Sequence, residues 1–379
     1  MKFVHISDLH LGKRLHETSL IEDQAEILSQ IIGIVDTERP DGVLIAGDVY
    51  DKSMPSAEAV QLFDSFLAEL AARRMRTFVI SGNHDSPERI AFGGRIMDAS
   101  GIHLSYVYNG SVKCVSLTDE HGEVCVYMLP FIKPAHVRRF YEDEEITSYT
   151  DAMRVAIAKM GVDESKRNVL ITHQFVTGAT RSDSEETVGG TDNVDASVFD
   201  GFEYVALGHL HGAQNCGSER IRYCGTPLKY SFSEANDVKS VTIIELGEKG
   251  GALHIRTANL HPIRDLRKIK GSFAELTDPA FYREAGNLSD YVQITLTDED
   301  DVPNAMGRLQ TIYKNALELK YDNTRTRAAA EIYGAEAVES KSMFELFSEF
   351  FALKNGAEMS DEQRAYVQET IEKIEEESV

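Results

Sequence analysis

The stretch Phe3-Val-His-Ile-Ser-Asp8-Leu-His10 begins as a short, mostly apolar run and ends with a carboxylate and an imidazole. The run predicts a β-strand over residues 3–7, so Asp8 and His10 come directly after the end of a strand. Four more motifs follow predicted strands in the same way: Gly47-Asp48-Val-Tyr-Asp51, Gly82-Asn83-His84-Asp85, Thr172-His173 and Gly208-His209-Leu-His211. Because the ends of such strands border one crevice, the five motifs together predict a single polar site.

Strand and helix patterns alternate around these motifs. Residues 42–46 and 77–81 predict two further strands, while residues 17–36 and 55–74 predict helices with apolar residues at helical spacing. More strands are predicted at residues 112–117, 124–129, 169–172, 204–207, 221–224 and 240–245. This order of elements predicts a layered α/β domain over residues 1–264.

The pattern changes after residue 264. Residues 291–297 predict a strand and residues 304–319 predict a helix, which together indicate a small α+β capping domain over residues 265–340. Four basic residues lie at its entrance in an otherwise acidic chain: Arg264, Arg267, Lys268 and Lys270. If the substrate is DNA, Arg267 and Lys268 are predicted to guide it, because cations position phosphates, and the alternative is a structural lid without DNA contact.

Residues 341–379 predict two helices separated at Gly356. The first helix has an apolar stripe formed by Phe344, Phe347, Phe350 and Phe351. Two helices of this size are marginally stable alone, so another surface must cover the stripe. That surface is either the rest of this chain or a partner protein.

The net charge of −23 at pH 7 argues against a broad electrostatic contact with nucleic acid, because nonspecific affinity comes mainly from Lys and Arg on phosphates. If DNA is the substrate, we expect a partner to help hold it. The four cysteines form no Cys-x-x-Cys pair and are interpreted as small buried hydrophobic residues. No apolar run approaches the roughly 18 residues of a membrane span, and no signal peptide is recognisable, which predicts a cytoplasmic protein that does not cross a membrane.

The five motifs combine carboxylate, amide and imidazole ligands. This mixture suits manganese, iron or zinc, whereas magnesium prefers oxygen alone. Two cations about 3.5–4 Å apart can activate a water and stabilise the leaving oxygen of a phosphoryl displacement. Asp48 is predicted to bridge them, because Gly47 lets the backbone turn sharply and the carboxylate offers two oxygens. His84 is predicted to approach the phosphate as a donor, because its neighbour Asn83 faces the metal instead.

The order D-x-H, G-D, G-N-H-D, H and G-H-x-H resembles the calcineurin-like metallophosphoesterase superfamily, whose fold is a β-sandwich flanked by helices. Within this superfamily, four stretches of the chain resemble the SbcD family of bacterial nuclease subunits. They are Ile6-Ser-Asp-Leu-His-Leu-Gly12, Gly47-Asp-Val-Tyr-Asp51, Gly208-His-Leu-His-Gly-Ala-Gln214 and Tyr223-Cys-Gly-Thr-Pro-Leu-Lys-Tyr-Ser-Phe-Ser-Glu234. The resemblance implies His84 as the catalytic histidine and two metal ions, usually manganese. It implies two ligand sets that share one aspartate: Asp8, His10, Asp48 and His211 for one metal, and Asp48, Asn83, His173 and His209 for the other.

The same resemblance implies a 3′–5′ exonuclease on double-stranded DNA that also opens hairpins as an endonuclease. It implies a homodimer that acts with an SbcC-type ATPase in DNA repair and recombination. The predicted helix of residues 55–74 is a candidate dimer contact, and the equal alternative is that its apolar residues belong to the core, because periodicity does not distinguish the two. The C-terminal helix pair would dock on the coiled coil of that ATPase. Archaeal and eukaryotic relatives often carry histidine at the position of Asp51, so the resemblance assigns Asp51 no role.

Other functions remain as alternatives. Small cyclic-nucleotide or general phosphodiesterases share the metal motifs, but they are compact single domains and leave the residues after 265 unexplained. A noncatalytic scaffold would retain only part of the ligand set, whereas every expected ligand is present here. Protein Ser/Thr phosphatases carry arginine after the second motif, where this chain has Lys52, and purple acid phosphatases need tyrosine where this chain has Asp51.

Overall fold

The computed structural model describes residues 1–180, 193–284, 286–324, 326, 343–355 and 358–377. The chain divides into two compact units. The first contains the described residues of Met1–Glu185 and Asn193–Leu266, and the second contains those of Arg267–Val379.

The first unit contains fourteen of the strands that the structure describes. They are β1 Lys2–Ile6, β2 Arg14–Leu15, β3 Thr18–Ser19, β4 Gly42–Ala46, β5 Arg76–Ile80, β6 Ile102–Leu104, β7 Lys113–Asp119, β8 Gly122–Met128, β9 Arg167–His173, β10 Tyr204–Gly208, β11 Gln214–Cys216, β12 Ser218–Tyr223, β13 Ser240–Leu246 and β14 Leu253–Asn259. Two six-stranded sheets form from twelve of them, in the orders β14-β13-β1-β4-β5-β6 and β11-β12-β10-β9-β8-β7.

The two sheets pack face to face. Their shared core contains side chains of both sheets: Phe3, Leu44 and Phe78 from the first, and Val126, Val169 and Tyr204 from the second. Strands β1, β4 and β5 run parallel, as do β9 and β10. These five strands are buried along nearly their whole length, which is typical of parallel strands covered on both faces. A β-sandwich of this kind, with helices outside, confirms the predicted fold class.

Helices flank the sandwich. The described helices of the first unit are Ile21–Glu38, Ala57–Ala72, Pro87–Ala91, Gly94–Met97, Pro134–Arg138 and Tyr149–Ala158. The helix Tyr149–Ala158 covers the outer face of the second sheet, where Met153 packs with Leu170 and Val205. On the other side, Ile21–Glu38 contacts Ala57–Ala72, which lies against β5.

The helix predicted from residue 17 begins later than expected. Strands β2 and β3 form a small antiparallel ribbon, and the two residues between them, His16 and Glu17, have φ angles of 44° and 66°. A two-residue turn with both residues left-handed joins hairpin strands but cannot begin a helix. The first helix therefore begins only at Ile21.

The second unit contains a three-stranded sheet in the order β15-β16-β17. Its strands are β15 Leu266–Gly271, β16 Tyr291–Leu296 and β17 Asn315–Tyr321, and its helices before residue 326 are Phe273–Leu276, Pro279–Glu284 and Ala305–Leu309. The helix predicted over residues 304–319 is wrong in its second half, because residues 315–321 pair in parallel with β16. Ala316 packs with Val292 and Leu309 in the core of this unit, so tertiary packing outweighed the local helical pattern.

Two helices follow near the end of the chain, Met343–Asn355 and Asp361–Glu377, and they contact each other. They confirm the predicted helical hairpin. Among the described residues, every helix is too short or too polar to span a lipid bilayer.

Candidate metal centre

The polar site lies where five parallel strands end. Strands β1, β4 and β5 of the first sheet and β9 and β10 of the second all have their carboxyl ends at this edge of the sandwich. The structure brings together all eight residues predicted for the site: Asp8, His10, Asp48, Asn83, His84, His173, His209 and His211.

The backbone at this edge is unusual. Four of the eight residues have positive φ angles: Asp8 at 53°, His10 at 42°, Asp48 at 47° and His209 at 103°. Non-glycine residues avoid this region, and such conformations cluster at functional sites where the surrounding structure holds them. Here the first two loops are joined by backbone hydrogen bonds, from Asp8 N to Gly47 O and from His10 N to Asp48 O, both of 3.0 Å.

Glycines let the two sheets approach each other. Gly47 has a φ of 87°, as expected for a sharp turn before Asp48. Gly208 was not predicted to matter, yet a Cβ atom there would lie 1.9 Å from the carbonyl oxygen of Ala46. The signal was its position directly before His209, which parallels that of Gly47 before Asp48.

Asp48 lies at the centre of the site. Its Oδ2 atom is 3.3 Å from Nε2 of His173, 3.7 Å from Nε2 of His10 and 4.0 Å from Nε2 of His84. Burial alone would raise the pKa of Asp48, but the neighbouring imidazoles of His173 and His84 outweigh burial and hold it well below its ordinary value. Asp48 is therefore an ionised carboxylate that offers oxygen to several neighbours at once.

Two groups of donors surround Asp48. Ligand atoms of Asp8, His10 and His211 lie within 4.8 Å of one another. On the other side, Oδ1 of Asn83 lies 2.9 Å from Nε2 of His173 and 3.0 Å from Nδ1 of His209. Two further clusters that include Asp48 itself meet the same distance limit: His10, Asp48 and His84, and Asp8, Asp48 and His173. The division of the donors into the two implied ligand sets therefore stays a prediction.

The donor set fits divalent metal ions. Both ring nitrogens of His10 are buried and neither makes a hydrogen bond, which is costly for polar atoms unless a ligand satisfies them. Burial also holds the pKa of His10 well below its ordinary value, so its imidazole is neutral and can coordinate a cation. Imidazole nitrogens mixed with carboxylate oxygens, without a thiolate, suit a borderline divalent metal.

His84 is oriented differently from the buried histidines. Its side chain is 25% exposed, whereas that of His10 is 2% exposed. Nδ1 of His84 lies 3.1 Å from the carbonyl oxygen of Asp51, and since a carbonyl only accepts, Nδ1 carries the proton in this contact. The structure thereby gives Asp51 a contact with His84 through its backbone.

Comparison with known proteins identifies the family of this chain. The family model of calcineurin-like phosphoesterases matches residues 1–213. A second family model, named SbcD_C and described as the type 5 capsule protein repressor C-terminal domain, matches residues 262–355. The SbcD subunit of the nuclease SbcCD from Staphylococcus epidermidis is 32% identical over 88% of this chain and 89% of its own length. The protein of the same name from Staphylococcus saprophyticus is 34% identical over 84% of each chain.

The chain belongs to the SbcD family. It is a metal-dependent phosphodiesterase of the calcineurin-like type. A solved dimetal phosphatase from Danio rerio aligns with 69% of this chain and 96% of its own, at a TM-score of 0.40 and 13% identity. The family assignment depends on the sequence matches and not on this structure.

One further residue of this SbcD-family site was not predicted. The buried carboxylate of Asp85 accepts hydrogen bonds from the backbone N–H groups of Val49, Tyr50 and Gly82, at 2.9–3.1 Å. Asp85 therefore fastens the loop after β4 to the loop after β5. Its position in the Gly-Asn-His-Asp motif was a signal, but its partners in the loop after β4 lie more than thirty residues away along the chain.

The residues predicted to contact DNA and the ATPase lie in the second unit. Arg267 is held by Asp290, at 2.6 Å from Nε to Oδ2, and by the carbonyl oxygen of Asn287 at 2.7 Å. Lys268, the next residue of β15, is exposed. On the helix Met343–Asn355, Phe347 and Phe350 are 43% and 56% exposed, and Phe344 and Phe351 are half-buried.

Proposed function

We propose that this chain is the nuclease of an SbcCD-type complex and hydrolyses phosphodiester bonds of DNA. The single observation that carries the proposal is the position of Asp48, whose carboxylate lies within 4.0 Å of the rings of His10, His84 and His173. A carboxylate placed between two groups of oxygen and imidazole donors is the arrangement that a two-metal phosphodiesterase needs. The SbcCD nuclease proteins to which this chain is similar indicate the substrate class.

The metals would be held by the two donor groups that share Asp48. One ion would bind the first group, Asp8, His10, Asp48 and His211, and the other would bind the second, Asp48, Asn83, His173 and His209. When bound, such ions activate water and stabilise the leaving oxygen of a phosphoryl displacement. The mixture of imidazole and carboxylate ligands is compatible with manganese, iron or zinc, and the resemblance to the SbcD family favours manganese as the resident metal.

His84 would act on the substrate. It is the most exposed histidine of the site, and the contact with the carbonyl of Asp51 fixes the proton on Nδ1 and directs Nε2 towards Asp48. In the imidazolium form, which carries a proton on each ring nitrogen, Nε2 can donate a hydrogen bond to a phosphate oxygen or protonate the leaving oxygen. Asp51 serves this role through its backbone.

Duplex DNA would be degraded in the 3′–5′ direction, and hairpins would be opened by endonucleolytic cleavage. The charge of −23 means that most of the surface repels a polyanion, so contacts with DNA must come from a few cations and from a partner. Lys268 is the stronger of the two proposed contacts because it is exposed, whereas the guanidinium of Arg267 already pairs with Asp290.

The partner would be an SbcC-type ATPase. Phe347 and Phe350 expose apolar surface on the helix Met343–Asn355, and a helix with exposed apolar side chains is suited to bind a groove on another protein. The relatives named as components of the nuclease SbcCD support a partner of this kind.

The proposal is tested in the presence of the SbcC-type ATPase with Mn²⁺ and three substrates: linear duplex DNA, hairpin DNA and bis-p-nitrophenyl phosphate. We expect all three to be hydrolysed, and we expect Lys268→Glu to slow duplex cleavage while hydrolysis of the small diester stays at the wild-type rate. Hydrolysis of the small diester alone would contradict the nuclease proposal and favour a small-molecule phosphodiesterase. Equal loss on every substrate in Lys268→Glu would exclude a guiding role for that residue.

A further inference from the structure

The segment from Tyr223 to Glu234 supplies no residue to either proposed ligand group, although its sequence is one of the stretches that resemble the SbcD family. It ends in a short 3-10 turn, Phe232–Glu234. The side chain of Glu234 is fully buried. A buried carboxylate is costly unless charged and hydrogen-bonding partners compensate it, so its partners indicate its purpose.

Glu234 faces His211. Its Oε1 atom lies 3.4 Å from Nδ1 of His211, and its Oε2 atom lies 2.6 Å from the ammonium nitrogen of Lys239. Oε2 also accepts a weak hydrogen bond of 3.4 Å from the hydroxyl of Thr226. The carboxylate thus connects a buried lysine to a histidine of the proposed metal site.

The backbone of His211 is held by the same residues. Its carbonyl oxygen accepts hydrogen bonds from Nζ of Lys239 at 3.0 Å and from the backbone N–H of Thr226 at 3.1 Å. Lys239 is itself only 7% exposed. Lys239 and Thr226 therefore fix the main chain of His211, and Glu234 fixes its ring.

A carboxylate in this position has a specific chemical effect on a histidine ligand. A ring N–H that donates to a carboxylate sets the tautomer and makes the opposite ring nitrogen a better electron donor to a metal. With Nδ1 directed at Glu234, Nε2 of His211 is the nitrogen that remains for coordination.

We propose that Glu234, held in place by Lys239, is a positioning residue that orients His211 and strengthens its bond to one of the two metals. The inference rests on the proposed function, because it assumes that His211 is a metal ligand. The second metal does not have His211 among its proposed ligands, so its own donors stay in place when Glu234 is changed. The effect of Glu234 is therefore specific to one of two sites on the same protein.

The test is isothermal titration of the full-length protein with Mn²⁺. We expect two binding events in the wild type, and in Glu234→Gln we expect one of them to weaken by about 10–100-fold while the other stays unchanged. The matched control is Glu203→Gln. Glu203 lies directly before β10, the strand that ends at Gly208. Its carboxylate accepts a hydrogen bond from the backbone N–H of Asn168 and forms a salt bridge with Lys249. The control substitution removes a comparable charge at the far end of β10 and should leave both events unchanged.

Folding is checked by the melting temperature of the metal-free protein. Asp237 lies 3.5 Å from Lys239 and keeps a carboxylate near that lysine in Glu234→Gln; the double variant Glu234→Gln with Lys239→Met removes both charges and should show the same selective weakening. Unchanged Mn²⁺ affinities in either variant would overturn the inference, and so would equal weakening of both events with a lowered metal-free melting temperature. A wild type that binds no Mn²⁺ would instead refute the proposed function.

Discussion

Asp48 and His84 lie 36 residues apart in sequence, and the backbone N–H of His84 donates to Oδ1 of Asp48 at 2.9 Å. The two side chains nevertheless have different surroundings. Asp48 is buried among donors on both sides, whereas His84 is partly exposed. Asp48 is proposed as a shared metal ligand and His84 as a donor to the substrate, so we expect substitutions at the two positions to have different effects.

We expect Asp48→Ala to lose both metals and all activity, because both ligand groups lose their shared oxygen. His84→Gln should keep both metals while the rate of phosphodiester hydrolysis falls by about 10²-fold or more, the magnitude of general acid–base and electrostatic catalysis. Metal content of the purified variants and their rates on bis-p-nitrophenyl phosphate separate the two effects.

The controls are residues of the same type at other positions on the same sheet. The control variants are Asp41→Ala and His103→Gln. Asp41 lies directly before β4, at the end of the strand opposite Asp48, and His103 lies on β6. Both controls should retain metals and activity. Loss of both metals in His84→Gln would show that His84 is a ligand, and the assignment of roles would be wrong.

At the scale of single elements, the site depends on how closely β4 and β10 approach each other. Gly208→Ala would place a methyl group 1.9 Å from the carbonyl oxygen of Ala46, so the two strands must separate. We expect the free energy of unfolding to fall by about 1–3 kcal/mol, as for other overpacked cores, measured by urea denaturation. Gly201→Ala is the control, since no atom lies within 4 Å of a Cβ there; equal stabilities of the two variants would contradict the close approach.

A second prediction at the scale of single elements concerns the C-terminal helices and their proposed binding to the ATPase. Deletion of residues 341–379 should abolish co-purification with an SbcC-type ATPase, because it removes the exposed Phe347 and Phe350. Manganese-dependent hydrolysis of bis-p-nitrophenyl phosphate should persist, since all eight predicted site residues lie before residue 212. The double variant Phe347→Ser with Phe350→Ser tests the surface without a truncation. Retained ATPase binding in both forms would refute the docking proposal.

At the scale of the whole molecule, we propose a homodimer formed through the first unit. Phe92 and Ile96 are 85% and 80% exposed, and exposed apolar side chains this close in sequence indicate a surface that another protein covers. On the helix Ala57–Ala72, the candidate contact predicted from the sequence, the side chains of Phe63, Phe66, Leu67 and Leu70 are buried in the core. Val60, 43% exposed, is the apolar residue of this helix that can still contribute to a contact.

Light scattering at micromolar concentration should therefore give the mass of a dimer. Phe92→Ser with Ile96→Ser should shift the protein to monomers, because it removes the apolar contact. The control pair, Val238→Ser with Ile263→Ser, alters exposed apolar residues elsewhere in the first unit and should leave the dimer intact. A wild type that is monomeric without its partner would contradict the proposal.

The sequence was sufficient to predict that the eight site residues lie close together, because each motif lies at or shortly after the end of a buried strand. His173 and His209 are 36 residues apart, yet the parallel pairing of β9 with β10 brings them together once both strands are recognised. The residues that hold this site in place could not be predicted in the same way. Asp85 bonds to backbone groups of another loop, and Glu234 acquires its role only when the fold places it beside His211.

In the second unit, part of the secondary structure itself was predicted wrongly from the sequence. Residues 315–321 have apolar and polar residues at spacings compatible with a helix, but Ala316 and Leu319 pack in the core of a sheet. A short apolar run cannot distinguish a buried strand from a buried helix, and the pairing with β16 decided between them. The short ribbon of β2 and β3 was missed because two left-handed non-glycine residues form its turn.

The central claim is that two metal ions bind at the strand ends and share Asp48. The most direct measurement is anomalous diffraction at the manganese absorption edge, from crystals of the full-length protein grown with Mn²⁺. We predict two anomalous peaks about 3.5–4 Å apart on either side of the Asp48 carboxylate. One peak should contact Asp8, His10 and His211, and the other Asn83, His173 and His209. A single peak, or peaks that do not contact Asp48, would contradict the two-metal account.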